Sequence, residues 1–117
     1  MKITTFNPLI LSRDAESIIS LFEELGFEKK HNKEGGDFSS NRMQDANGFH
    51  VDVTEVNVPK DMTSIRMNVD NFDEAYELLT ARGFTTSEPE ARNTGTSRST
   101  MFISPTGFTI VVAEHLK

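Results

Sequence analysis

Two stretches of this chain are variants of one pattern. Residues 45–56, DANGFHVDVTEV, and residues 104–115, SPTGFTIVVAEH, superimpose with Gly48 on Gly107, Phe49 on Phe108, Val53 on Val112 and Glu55 on Glu114, a shift of 59 positions. A second pair of landmarks, Gly26-Phe27 and Gly83-Phe84, lies 57 positions apart. Two landmarks that agree on one period identify a tandem repeat. The chain of 117 residues therefore holds two copies of one supersecondary unit, within the size of a single domain.

Each copy has the same order of elements. Residues 2–11 (KITTFNPLIL) are β-branched and aromatic, and Pro8 predicts an edge or irregular strand. In 13–25, Ala15, Ile18, Ile19, Phe22 and Leu25 recur at helical spacing, with Ser12 or Asp14 as the cap and Gly26 as the stop. Residues 27–33 and 37–44 are expected as strands around Glu34-Gly35-Gly36, and Asn47-Gly48 as the turn into the alternating strand FHVDVTEV. After the polar connector 57–63 the order restarts. It runs through the strand 64–69, a helix capped by Asp70 or Asn71 and closed by Gly83, and a short strand over 84–88. A polar loop over 88–98, the strand 99–103, a Pro105-Thr106-Gly107 turn and the strand 108–114 complete it. The expectation is one domain, α+β, made of two βαβββ modules: about 1–56 and 64–117.

Composition narrows the function. Net charge is −6, from 12 basic and 18 acidic residues, and the only basic cluster is Lys29, Lys30, His31 and Lys33. Such a chain lacks the electrostatic footprint of a nucleic-acid binder, and those lysines suit a strand edge. No stretch approaches the length of a membrane span. With no cysteine, disulfides, thiolate nucleophiles and cysteine metal sites are absent. The start, MKITTFNPLILS, lacks a long apolar run and a cleavage site. A cytoplasmic location is expected.

The stretch SIRMNVDNFDEAYELLTARGF (64–84) and the ending FISPTGFTIVVAE (102–114) resemble the vicinal oxygen chelate superfamily of glyoxalase I, extradiol dioxygenases and bleomycin-resistance proteins. The resemblance covers nearly the whole chain. It implies half-barrel modules with helices outside and a concave cavity inside. It also implies a divalent metal held by the first and last strand of each module. Carried onto this chain, the ligand positions fall near Asn7 and at Asp52, Ser64 and Val111. Only Asp52 is a good ligand, since valine has no donor and a serine hydroxyl is weak. No metal site and no cofactor are expected, and a divalent metal is disfavoured. The resemblance further implies a homodimer.

Alternation along strands places His50, Asp52 and Thr54 on the cavity face, with Phe49, Val51 and Val53 turned to the helix. It likewise places Ser64, Arg66 and Asn68 on that face, with Thr109 and Val111 from the last strand. His50 and Asp52 form a candidate acid–base pair, or a solvated polar face. Arg66 suits a ligand carboxylate or phosphate, or an ion pair with Asp52. His31 and His115 are expected at the surface. Phe6, Phe38 and Phe102 line a pocket for a flat ligand or fill the core, and the polar 88–98 loop is a lid or merely mobile. The favoured function is metal-free binding of a small planar or cationic molecule. The alternative is a lyase- or dioxygenase-type enzyme of the superfamily with non-standard ligands or His50/Asp52 chemistry.

Overall fold

The structure is a computed structural model. It describes residues 1–35 and 38–116, with the backbone alone for 31–35 and 38–39. Gly36 of the expected turn, and the side chains of His31, Lys33 and Phe38, lie outside the described residues. Two compact units are present: residues 7–63, and residues 1–6 together with 64–117.

The first repeat comprises β1 (Ile3–Ser12), α1 (Ala15–Glu24), β2 (Glu28–Gly35), β3 (Phe38–Gln44) and β4 (His50–Glu55). Its strands lie in the order β2-β3-β4-β1. β1 and β4 run parallel with Leu9 opposite Asp52, and β3 and β4 run antiparallel with Arg42 opposite Asp52. The ladder to β4 begins at Leu9, directly after Pro8. The proline, which has no N–H to donate, thus sits outside the ladder.

α1 starts where Asp14 accepts hydrogen bonds from the Ser17 backbone N–H at 3.3 Å and the Ser17 hydroxyl at 2.6 Å. It stops at Gly26, whose φ of 103° is readily adopted only by a residue without Cβ. Its apolar stripe explains its placement. Ala15 and Ile19 are buried with Met43, Val51 and Val53 of the sheet, and Phe22 and Phe27 meet edge to face at the margin.

The second repeat comprises β5 (Met62–Val69), α2 (Phe72–Ala81), β6 (Thr85–Thr86), β7 (Arg92–Asn93), β8 (Ser97–Ile103) and β9 (Thr109–His115). The order is β5-β9-β8-β6, with β7 also paired to β8. Asn71 caps α2 by accepting from the Glu74 N–H at 3.1 Å. Asp70 instead accepts from the Lys2 N–H at 2.7 Å. Phe72, Ala75 and Leu79 pack with Met67, Val69, Phe102, Ile110 and Val112. Tyr76 is 43% exposed, yet its ring still meets Phe72 and Phe102.

Part of the 88–98 segment is strand rather than loop. Arg92 and Asn93 pair with Ser99 and Arg98. The Thr94 N–H donates to Ser97 O at 3.0 Å across Gly95, whose φ is positive.

The repeated turn is built by the same bonds in both copies. The N–H groups of Gly48 and Gly107 donate to the carbonyls of Asp45 and Ser104, at 3.2 and 3.0 Å. The N–H groups of Phe49 and Phe108 donate to the side-chain oxygens of the same two residues, both at 2.9 Å. Asn47 has no positive φ, so this four-residue turn is not the two-residue hairpin its Asn-Gly pair suggests. Phe49 and Phe108 consequently stand at the surface, 68% and 50% exposed, and Phe49 does not join the core as expected.

Candidate functional site

In each repeat one face of the sheet is covered by its helix and the other carries polar residues. In the first repeat Val51 and Val53 lie under α1, so Asp52 and Thr54 face the other way. The register places Gln44, Arg42 and Ser40 beside His50, Asp52 and Thr54. The contacts follow. Arg42 Nε donates to Asp52 Oδ1 at 3.1 Å, and the Thr54 hydroxyl donates to Ser40 Oγ at 3.0 Å. Asp52 has a side chain only 5% exposed, whereas that of Arg42 is one-third exposed. The guanidinium therefore compensates a carboxylate that folding has removed from water.

His50 and Asp52 lie two residues apart on β4. No hydrogen bond joins imidazole and carboxylate among the described residues, and His50 Nε2 is buried without a partner. Asn7 is buried on β1, two residues before the partner of Asp52. Its Nδ2 donates to Pro8 O at 2.8 Å, while its Oδ1 is buried without a partner.

In the second repeat Met67 and Val69 lie under α2, so Ser64, Arg66 and Asn68 share the opposite face. Arg66 stands beside Val111, and Val111 beside Met101. Thr109 is buried next to Ile103. Ser64 is buried with no partner for Oγ. Asn68 Nδ2 lies 3.3 Å from His115 Nε2, while Asn68 Oδ1 is buried without a partner. His115 is exposed, as expected, but it is tied to the polar face rather than loose.

The register also settles which positions correspond. Leu9 pairs with Asp52 as Arg66 pairs with Val111. The residues two before Leu9 and Arg66 are Asn7 and Ser64, so Asn7 is the counterpart of Ser64. The quartet that the resemblance assigns to a metal is thus an amide, a carboxylate bound to a guanidinium, a hydroxyl and a valine.

Those residues do not fit a divalent ion. The Arg42 guanidinium already neutralises the one carboxylate among them, so the quartet and its neighbour offer a divalent ion no net negative charge. Among the described residues no group of three or more His, Cys, Asp or Glu side chains could hold a metal.

Of the harder-to-place phenylalanines, Phe102 is fully buried core between Phe72 and Tyr76. Phe6 is 57% exposed. Arg42 is a side chain of the candidate face that sequence reasoning misses. The signal was available: once the Asp45–Phe49 turn closes, Gln44 must face His50 and Arg42 must face Asp52.

The sequence matches the family model "Glyoxalase/Bleomycin resistance protein/Dioxygenase superfamily" over residues 4–112. The chain belongs to this superfamily. Its fold is the α+β glyoxalase type, and solved structures agree. Methylmalonyl-CoA epimerase from Mycobacterium tuberculosis superposes with a TM-score of 0.68 at 15% identity, covering 98% of this chain and 90% of that one. A variant of the Streptomyces coelicolor methylmalonyl-CoA epimerase, in complex with 2-nitronate-propionyl-CoA, gives 0.68 at 13% identity, covering 99% and 100%. A glyoxalase I mutant from Zea mays gives 0.69 at 11% identity, covering 97% of this chain and 43% of that one. At these identities the likeness shows the glyoxalase-type fold and no more. No curated protein matches the sequence. Among the described residues no helix is long and apolar enough to cross a membrane.

Proposed function

We propose that this superfamily member binds a small molecule without a metal, on the helix-free polar face of a repeat. One observation carries the reading. Asn7 Oδ1, His50 Nε2, Ser64 Oγ and Asn68 Oδ1 are buried polar atoms with no partner, and all four lie on helix-free faces. Buried polar groups in folded proteins are nearly always satisfied, so such atoms point to water or a ligand. The Arg42–Asp52 pair supports metal independence, because it occupies the best ligand of the quartet. A cytoplasmic homodimer belongs to the same proposal, with exposed Phe6, Phe49 and Phe108 as apolar surface for it.

The first experiment is metal content, followed by melting temperature with nickel, zinc, manganese and iron(II) before and after chelation. The expected result is no stoichiometric metal and an unchanged melting temperature. A copurifying metal that stabilises the fold would overturn metal independence. Ligand binding is then read as a rise in melting temperature that survives chelator.

A second reading, acid–base catalysis, is favoured by the unpartnered Nε2 of His50. It requires turnover that His50→Ala abolishes in a folded protein. Since Arg42 holds Asp52, the burden of proton transfer would fall on His50.

A further inference from the structure

We infer that the first repeat is built to receive an oxyanion, with Arg42 as its receptor; this rests on the reading of the helix-free face as a binding surface. A guanidinium offers five N–H donors in a planar fork. Among the described residues Arg42 uses only Nε, on Asp52 Oδ1 at 3.1 Å, and its Nη groups donate to none of them. The two Nη groups match the paired oxygens of a carboxylate or phosphate. Asp52, almost fully buried, holds the fork in place before any ligand arrives, so little side-chain freedom remains to be lost on binding.

One cross-strand pair along the same face stands His50, whose buried Nε2 has no partner. In the tautomer that protonates Nε2 it supplies a second donor. The net charge of −6 favours a cation only at long range, where salt screens it. At contact the spare groups are donors, and donors select an anion. The ligand class is therefore a small organic carboxylate or phosphate, rather than the cation that overall charge suggests.

The test follows the Arg42 side-chain Nε–Hε resonance by NMR while benzoate, phenyl phosphate or benzamide is added. These probes share a ring and differ in charge. The expected result is a saturable shift with at least one of the two anions, which tells carboxylate from phosphate, and none with benzamide. Binding, followed on backbone amides, should weaken about tenfold or more in Arg42→Gln. Because that change takes a guanidinium away from a buried carboxylate, the double variant R42Q/D52N is measured beside it and should show the same loss. Equal binding of benzamide and the anions, or anion binding indifferent to R42Q/D52N, would overturn the anion site and leave the binding face standing. No saturable shift from any of the three probes would overturn both.

Discussion

Arg42 and Asp52 face each other across antiparallel strands, with Nε 3.1 Å from Oδ1. The pair joins a nearly buried carboxylate to a partly exposed guanidinium. Removing the guanidinium alone should therefore cost far more than removing both charges. Breaking a fully buried pair from one side costs about 3–5 kcal/mol; with Arg42 one-third exposed, roughly 2–3 kcal/mol is expected for Arg42→Met. Adding Asp52→Asn should recover most of it. Urea denaturation of the two singles and the double decides this, and additive losses would contradict it.

Ser64→Ala should not destabilise. Among the described residues no group bonds its buried hydroxyl, so in ligand-free protein the folded state gains little from it. A melting temperature equal to wild type or slightly higher is expected. A clear fall would mean that the hydroxyl is satisfied by bound water or ligand in solution.

Phe102 and Phe49 should respond oppositely to truncation. Phe102 is fully buried against Phe72 and Tyr76, so Phe102→Ala should cost about 3–5 kcal/mol. Phe49 is largely exposed, and Phe49→Ser should stay within about 0.5 kcal/mol of wild type. Comparable losses at the two positions, read by denaturation of protein diluted to the monomer, would mean that Phe49 is packed within its own chain.

The start of α1 should be acid-sensitive. The hydrogen bond from the Ser17 hydroxyl, and then that from its backbone N–H, hold the Asp14 carboxyl below its ordinary value of 3.8. A depressed folded value means that the stabilisation is complete above 3.8 and is lost as pH falls through the folded value. Carboxyl-carbon NMR of Asp14 should show the low titration, and Ser17→Ala should return it towards 3.8. An identical titration in wild type and Ser17→Ala would contradict the assignment.

The parts of the fold legible in the sequence were those written in period and punctuation. The helical stripe of Ala15, Ile19 and Phe22, the stops at Gly26 and Gly83, and the alternation around Asp52 each depend on local spacing, which a sequence displays directly. The cross-strand neighbour of Asp52 was harder to read, because it depends on register between strands. Register is fixed by the turn at 45–49, where the Asp45 side chain rather than positive φ at Asn47 closes the chain. The segment 88–98 looked like pure loop because a two-residue strand such as Arg92–Asn93 has no periodicity to detect. Phe102 was ambiguous for a different reason: the residue type suits both a ligand wall and a core, and only packing separates them.

The duplicated turn has a consequence for how this chain can change. One copy accepts the phenylalanine N–H with the carboxylate of Asp45, the other with the hydroxyl of Ser104. The backbone problem is the same, and two chemically unlike residues solve it at the same distance. The molecule is thus its own mutational reference. Exchanging residues between equivalent positions, Asp45 for Ser104 or Asp52 for Val111, separates what the scaffold demands from what one copy alone has specialised to do.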